Sequence, residues 1–148
     1  MYKMIATAAV AATLAFSANS AEIYKDYTLS KEVSDVTFIK VNPGKFNDYL
    51  DGLRQTWLPG CEIGKKLGTV VSCSIWASET MRNGDFNVIL VVTSPSGATS
   101  DPNEEMYNKF MAEMRAKLAQ DEQQKIVEGY SEMRSFFGEQ SFRQVKFK

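Results

Sequence analysis

One segment of the chain is apolar on both of the faces that a β-strand presents. The segment Phe86–Val92 has the sequence F-N-V-I-L-V-V. Successive side chains of a strand point to opposite faces of its sheet, so one face carries Phe86, Val88, Leu90 and Val92, and the other carries Asn87, Ile89 and Val91. A sheet with one face in water alternates apolar with polar residues. This segment therefore predicts a sheet that is covered on both faces, apart from the single amide of Asn87.

Three other segments predict strands. They are Val36–Val41, Thr69–Ala77 and Ser141–Lys148, each rich in β-branched or aromatic residues. The turn Arg82–Asp85 contains Asn-Gly, the dipeptide most typical of a two-residue hairpin loop. The strands on either side of this turn are therefore predicted to pair as an antiparallel hairpin.

A helix is predicted after the first strand. Asn42 suits an N-cap and Pro43 the first helical position. An apolar face then recurs at helical spacing, formed by Phe46, Tyr49, Leu50, Leu53 and Trp57. We expect Pro59-Gly60 to break or kink this helix and Gly68 to end it.

Two more helices are predicted after the hairpin. Asp101 with Pro102 predicts the start of the first, whose apolar face is formed by Tyr107, Phe110, Met111, Met114 and Leu118. Asp121 with Gln124 predicts the start of the second, which we expect to end at Gly138. Its apolar face is formed by Ile126, Tyr130, Met133 and Phe137.

The resulting order β-α-β-β-α-α-β is that of an α+β, ferredoxin-like split βαβ domain with an antiparallel sheet. Helices would cover one face of this sheet, and no other part of the chain is left to cover the second. A second copy of the chain is the simplest cover, and two such sheets packed face to face form a dimeric α/β barrel. The pattern thus predicts a homodimer.

The stretches Val41–Phe46 and Trp57–Gly60 resemble the dimeric α/β-barrel superfamily, and in particular small exported members of unassigned activity. The resemblance extends over about residues 35–148. It implies a pocket between the sheet and its own helices, and it brings cofactor-independent monooxygenases into consideration. Superfamily members that degrade haem ligate the iron with histidine. This chain has no histidine, so that function is not carried over.

The N-terminus predicts export. Residues 1–21 consist of a short start with one cation at Lys3, an uncharged apolar run over Met4–Phe16, and small residues up to Ala21. These are the three regions of a secretory signal peptide, with cleavage after Ser20 or Ala21. A run of about a dozen apolar residues is too short to span a bilayer. We therefore expect a bacterial periplasmic or secreted protein that is free of the membrane after cleavage.

Residues 22–34 are polar and predict an irregular N-terminal arm, followed by a single domain over residues 35–148.

The chain carries 17 basic and 18 acidic residues without a basic cluster, which argues against nucleic-acid binding. The absence of histidine excludes Ser-His-Asp and Cys-His catalysis and the usual catalytic zinc sites. The carboxylate pairs fit helix first turns, and no glycine-rich phosphate loop follows a strand. We predict neither a metal site nor a cofactor.

Cys61 and Cys73 are the only cysteines. In an exported protein such a pair predicts a disulfide bond, which would tie the end of a helix to the following strand. A redox or metal-binding pair and two buried free thiols are the alternatives. The spacing matches neither C-x-x-C nor a zinc pattern.

Five side chains are candidates for lining a ligand pocket: Tyr49, Arg54, Trp57, Trp76 and Asn87. Aromatic rings can stack on a planar ligand, and amide or guanidinium groups can polarise a carbonyl or phenolate oxygen. Trp57 fits equally well as the last residue of a core stripe, and Trp76 as a core or interface residue. Asn87 is notable because a buried amide needs hydrogen-bond partners. The alternative is that this amide lies beside the turn and reaches solvent.

Three functions are compatible with these observations. The leading hypothesis is an exported, homodimeric domain of unassigned activity that binds a small apolar or aromatic ligand. The second is a cofactor-independent monooxygenase or isomerase that uses Tyr49, Arg54, Trp57 and Asn87. The third is a periplasmic protein-interaction module that uses the 22–34 arm or the Ser94–Ser100 loop. The sequence favours a non-enzymatic domain but supplies enough Tyr, Arg, Asp and Lys to leave catalysis open.

Overall fold

The structure is a computed structural model that describes residues 20–80 and 85–148. Its strands are β1 (Tyr27–Leu29), β2 (Val33–Val41), β3 (Ser72–Ala77), β4 (Val88–Ser94), β5 (Arg134–Phe142) and β6 (Val145–Phe147). Its helices are α1 (Phe46–Gln55), α2 (Trp57–Lys66), α3 (Glu104–Lys117) and α4 (Gln120–Met133), with a short 3₁₀ turn at Gly97–Ser100. No helix in these two ranges is long and apolar enough to span a membrane.

Four strands form an antiparallel sheet in the order β3-β4-β2-β5. The outer strands follow helices, and β3 and β4 pair with each other as consecutive strands, so the topology is the ferredoxin-like split βαβ. The predicted fold class and the antiparallel pairing of the second and third strands are confirmed. The Asn-Gly turn itself and most of the predicted signal peptide lie outside the described residues.

The core lies between the sheet and its helices. Its buried residues come from β2, β4, α1 and α4: Ile39, Val41, Val88, Leu90, Tyr49, Leu53 and Tyr130. Because side chains alternate along a strand, the neighbours of these core residues on β2 and β4 point to the opposite face of the sheet.

That opposite face, which we call the open face, is apolar along its centre. Phe38 on β2 and Trp76 on β3 both lie opposite Ile89 of β4. Phe38 also packs against Phe86, and Phe86 packs against Phe137, with ring centroids 4.8 and 5.8 Å apart. The alternation predicts that Phe86 shares a face with Val88, but Phe86 precedes β4 and its ring packs on the open face. Trp76 is 62% exposed and Phe137 is 56% exposed. No helix of the described chain covers this face.

The N-terminal arm contains ordered strands, which corrects the prediction that residues 22–34 are irregular. β1 pairs antiparallel with β6 in a second, two-stranded sheet, with Tyr27 opposite Phe147. β2 begins at Val33, so the predicted boundary at residue 35 falls inside a strand. Pairing with a distant strand determines this structure, and the polar local sequence does not reveal it.

The predicted starts of the helices are wrong in detail. Asn42 does not cap α1. Its side chain donates to the Glu132 carbonyl, 2.8 Å away, and α1 begins only at Phe46. The break between α1 and α2 lies at Thr56, and Pro59 is accommodated in the first turn of α2, where its missing N–H has no helical acceptor to lose.

The caps of the later helices also differ from the prediction. Asn103, and not Asp101, caps α3, and its side chain accepts a hydrogen bond from the Met106 N–H at 2.9 Å. Asp121 lies within the first turn of α4, which has no side-chain cap. The prediction that Gly68 ends α2 is confirmed, because Gly68 follows the C-terminal end of that helix with a φ of +74°.

The last predicted helix ends four residues earlier than its apolar periodicity suggests. Phe137 and Gly138, which the pattern placed at its end, belong to β5. The pairing of β5 with β2 shifts in register between Phe38 and Ile39, which is a β-bulge that accommodates Phe137 as an extra residue. The predicted final strand is consequently divided between the end of β5 and β6.

Candidate ligand cavity

A cavity of about 420 Å³ lies between the sheet and its helices. We call it the helix–sheet cavity. The residues that line it are Tyr49, Leu53, Thr56, Trp57, Gly60, Cys61, Val70, Leu90, Val92, Phe110, Met114, Gln123, Tyr130 and Arg134. Most of them are apolar or aromatic, so the cavity offers a largely apolar interior with a few polar groups.

Tyr130 is fixed in the cavity wall by a hydrogen bond and by a close packing contact. The Thr56 hydroxyl donates its only proton to the Gly52 carbonyl at 2.9 Å. The Tyr130 hydroxyl lies 2.7 Å from the Thr56 hydroxyl oxygen and therefore donates its proton to that oxygen. Gly52 makes room for the ring, since a Cβ at this position would lie 2.7 Å from Tyr130 Cε1.

Arg134 lies over two tyrosine rings. Its guanidinium carbon is 5.6 Å from the ring centroid of Tyr49 and 5.2 Å from that of Tyr130. Both distances are within the range of cation–π attraction. Arg134 is the first residue of β5 and pairs with Val41 of β2, so the backbone that carries it is part of the sheet.

Two buried polar atoms of the wall have no hydrogen-bond partner within the described chain. They are the Tyr49 hydroxyl oxygen and Arg134 Nε. Burial raises the pKa of Tyr49 to about 12, and the nearby Arg134 cation only partly offsets this effect. Burial also raises the pKa of Tyr130, and the nearby Arg134 cation only partly offsets this effect. Both phenols are therefore neutral at physiological pH and can donate hydrogen bonds.

The structure brings two of the five candidate pocket residues together. Tyr49 and Trp57 line the helix–sheet cavity, from α1 and from the start of α2. Arg54 lies on the outer side of α1, where it pairs with Asp51 at 3.0 Å and leaves 73% of its side chain exposed. Trp76 lies on the open face, and its indole N–H donates to the Ser74 hydroxyl at 2.9 Å.

Asn87 has a structural position outside the helix–sheet cavity. Its side-chain oxygen accepts from the Val41 N–H at 2.7 Å, and its amide nitrogen donates to the Val41 carbonyl at 3.1 Å. The residue is buried and precedes β4, so it replaces two ladder hydrogen bonds at the end of β2. The sequence-level expectation that this amide needs partners is confirmed, and the partners are backbone groups of β2.

The sequence does not single out three polar residues of the wall, Thr56, Tyr130 and Arg134, or Gly52, which packs against the Tyr130 ring. The apolar spacing explains Tyr130 as part of a helical core stripe. The same spacing extends the predicted helix past Arg134, whereas α4 ends at Met133. Gly52 carried a signal, because glycine in the middle of an otherwise good helix usually marks close packing. Nothing local indicated that Thr56 would interrupt the helix.

The predicted disulfide between Cys61 and Cys73 is confirmed. It joins α2 to β3, and Cys61 also contributes to the cavity wall. Within residues 20–80 and 85–148, no group of three or more Cys, Asp or Glu residues is placed to hold a metal ion.

The chain resembles several solved structures at low sequence identity. HapK from Hahella chejuensis is 14% identical, with a TM-score of 0.47 over 76% of this chain and 91% of that chain. SnoaB from Streptomyces nogalater, described as a cofactor-independent oxygenase, is 10% identical, with a TM-score of 0.43 over 76% and 92%. A dimeric ferredoxin-like protein of unknown function from Thermobifida fusca is 8% identical, with a TM-score of 0.40 over 78% and 91%. No protein-family model and no curated protein sequence matches the chain.

The fold and the site define a ferredoxin-like α+β domain with an apolar cavity between sheet and helices. The strand order β3-β4-β2-β5 carries the assignment of the fold. This strand order agrees with the fold that the resemblance implies. Two of the solved structures are described as dimeric ferredoxin-like proteins.

Proposed function

We propose that this chain is an exported, homodimeric domain that binds a small apolar or aromatic ligand in the helix–sheet cavity. The observation that carries the proposal is the cavity itself. Its volume of about 420 Å³ lies within the range of roughly 300–1,000 Å³ found for small-molecule sites. Its wall combines aromatic rings with a small number of polar groups, the composition that such sites usually have.

The aromatic residues suit a planar ligand. Trp57 and Phe110 face the cavity from α2 and α3, and Leu90 forms part of its floor on β4. Rings of this kind bury large apolar areas and stack favourably on other rings.

The open face supports the homodimer. Phe38, Ile89 and Phe137 form a continuous apolar surface on a sheet whose other face is already covered by helices. Exposed contiguous apolar surface of this kind usually marks an interface. A second copy is the occupant that we propose, because two identical faces related by a two-fold axis complement each other.

The disulfide supports export. Structural disulfides persist in oxidising compartments and are rare in the cytosol, and Cys61 and Cys73 are bonded. Together with the signal-peptide pattern of residues 1–21, this favours a periplasmic or secreted location.

The cavity favours binding over catalysis. A cofactor-independent oxygenase or isomerase needs a base that is poised near neutral pH. The titratable groups of the cavity wall are Tyr49, Tyr130 and Arg134, and burial shifts both tyrosine pKa values upward, away from neutrality. The interaction-module hypothesis is weakened for the 22–34 arm, because its strand β1 already pairs with β6.

A titration with N-phenyl-1-naphthylamine tests the proposal. This uncharged aromatic probe fluoresces strongly only in apolar surroundings. We expect saturable binding to the wild type and its loss in Gly60→Leu, because a Cβ at residue 60 faces Phe110 Cζ at 3.5 Å and a larger side chain would occupy the cavity. Glu62→Leu, which adds the same side chain on the exposed side of α2, is the matched control. Absence of saturable binding to the wild type, or equal binding to Gly60→Leu, would refute the proposal.

A further inference from the structure

We propose that the ligand of the helix–sheet cavity is an organic anion, a small aromatic or apolar carboxylate whose charged group pairs with Arg134. This inference rests on the proposed function and adds the chemical class of the ligand. It follows from the charge of Arg134, from the partners that its guanidinium lacks, and from the kind of hydrogen-bonding groups that the wall leaves unsatisfied.

Arg134 has no anionic partner within the described chain. The side chain is half-buried, and none of the ion pairs found among residues 20–80 and 85–148 includes it. The wall of the cavity contains no Asp or Glu. A guanidinium is charged at every physiological pH, and a charge withdrawn from water without a counter-ion is costly. The two tyrosine rings stabilise the cation in part, but they do not accept its N–H groups in hydrogen bonds of the ordinary kind.

The unsatisfied groups of the wall are both hydrogen-bond donors at physiological pH. Arg134 Nε carries a proton at all times, and Tyr49 keeps its phenol proton. The other two hydroxyls of the wall, those of Thr56 and Tyr130, already bond to each other. A site whose buried unsatisfied groups are two donors, one of them part of a cation, is complementary to an acceptor that is negatively charged. A carboxylate matches the planar fork of a guanidinium with two parallel hydrogen bonds.

Arg134 is also held in place before a ligand arrives. Its backbone pairs with Val41 inside the sheet, and its side chain lies over the rings of Tyr49 and Tyr130. A pre-positioned group loses little conformational entropy on binding, which favours affinity. Most of the remaining wall is apolar, so an aromatic or aliphatic body fits the remainder of the ligand.

The test compares two probes that differ in charge. Calorimetric titrations of the full mature chain with 2-naphthoate and with its neutral analogue 2-naphthamide measure what the negative charge contributes. We expect naphthoate to bind at least about tenfold more tightly, as hydrogen bonds to charged groups predict. Arg134→Gln should abolish this preference, so that the two probes bind with similar affinity, and Arg134→Lys should retain part of it. Arg54→Gln, which removes an exposed arginine outside the cavity, should keep the full preference.

The outcomes separate this inference from the proposed function. Equal binding of the two probes to the wild type overturns the anion assignment, and so does a preference that survives in Arg134→Gln. If neither 2-naphthoate nor 2-naphthamide binds but N-phenyl-1-naphthylamine does, the cavity accepts ligands and the carboxylate class is wrong. If none of the three probes binds, the proposed function fails and the inference fails with it. The wild-type comparison decides the question even if a variant does not fold.

Discussion

The ring of Tyr130 stands edge-on to the ring of Tyr49, with the centroids 5.4 Å apart and the planes inclined by 72°. This contact joins α4 to α1, and the guanidinium of Arg134 lies over both rings. The two tyrosines are members of the buried core and of the cavity wall at once. Changes to the cavity wall are therefore expected to affect the stability of the domain as well as its affinity for a ligand.

Gly52→Ala tests how closely Tyr130 packs against α1. A Cβ at residue 52 would lie 2.7 Å from Tyr130 Cε1, so the ring would have to move away from Thr56. We expect a loss of about 1–3 kcal/mol in the free energy of unfolding, despite the better helix propensity of alanine. Urea denaturation measures this change.

Gly129→Ala is the matched control for that substitution. Gly129 also lies within a helix, but its added Cβ would meet only Met133 Cε at 3.6 Å, an ordinary contact. This variant should gain about 0.5–1 kcal/mol. If Gly52→Ala were as stable as Gly129→Ala, the close approach of Tyr130 to α1 would be contradicted.

Phe137→Asp tests the proposed dimer interface. Phe137 is exposed on the open face beside Phe86, so a buried carboxylate there would oppose the packing of a second copy. We expect the wild type to sediment as a dimer at micromolar concentration and the variant to sediment as a monomer. Tyr107→Asp, which places the same charge on an exposed position of α3, should leave the dimer intact. A wild type that is monomeric throughout this concentration range would show that the open face has another role.

The sequence predicts the order of the elements because their periodicities differ clearly. The short runs of β-branched and other apolar residues along β2 and β4 and the helical spacing along α1 and α3 match the elements that these segments form, so local pattern and tertiary structure agree there. They disagree after Met133. Phe137 continues the apolar spacing of α4, yet pairing with the whole length of β2 draws Arg134–Phe142 into a strand. Long-range pairing of this kind leaves no signature in a short window of sequence.

The same disagreement explains why only two of the predicted pocket residues, Tyr49 and Trp57, line the cavity. Tyr49 and Trp57 follow from the local helical spacing, although they lie on α1 and at the start of α2, and their position needs no knowledge of distant elements. Arg134 reaches the cavity only because α4 ends before it and β5 pairs with β2. Its role depends on a boundary between elements, and boundaries are the least predictable feature of a sequence.

Asn87→Ala tests the bridge between β4 and β2. The substitution removes the partners of the Val41 N–H and carbonyl, and Val41 is buried. Leaving two buried backbone groups unsatisfied should cost about 2–4 kcal/mol in the free energy of unfolding. Asn103→Ala, which removes one exposed helix cap, should cost only about 1 kcal/mol. Similar losses in the two variants would show that the Val41 groups find other partners.

Reduction of the disulfide tests the link between α2 and β3. The bond between Cys61 and Cys73 closes a loop over a sequence separation of 12, and a loop of this size contributes roughly 3 kcal/mol in the chain-entropy description. We expect the free energy of unfolding to fall by about that amount in dithiothreitol. The double variant Cys61→Ala/Cys73→Ala should have the lower stability from the start and should not respond to dithiothreitol. A wild type whose stability is insensitive to full reduction would contradict this contribution.

Tyr49→Phe tests the unpartnered hydroxyl in two independent ways. At neutral pH the substitution removes a buried donor without a partner, so we expect stability to be unchanged or higher by up to about 1 kcal/mol.

At high pH the direction of the change in the free energy of unfolding follows from the pKa of Tyr49. Burial raises the pKa of Tyr49 from 10.0 to about 12 in the folded protein, so the folded state holds the phenol proton more tightly than the unfolded state. The stabilisation from this group is complete below pH 10 and is lost as the pH rises toward 12. The free energy of unfolding of the wild type should therefore fall more steeply between pH 10 and 12 than that of Tyr49→Phe, when both are measured by urea denaturation at each pH. Parallel curves for the two proteins would mean that Tyr49 ionises in the fold as readily as it does in the unfolded chain.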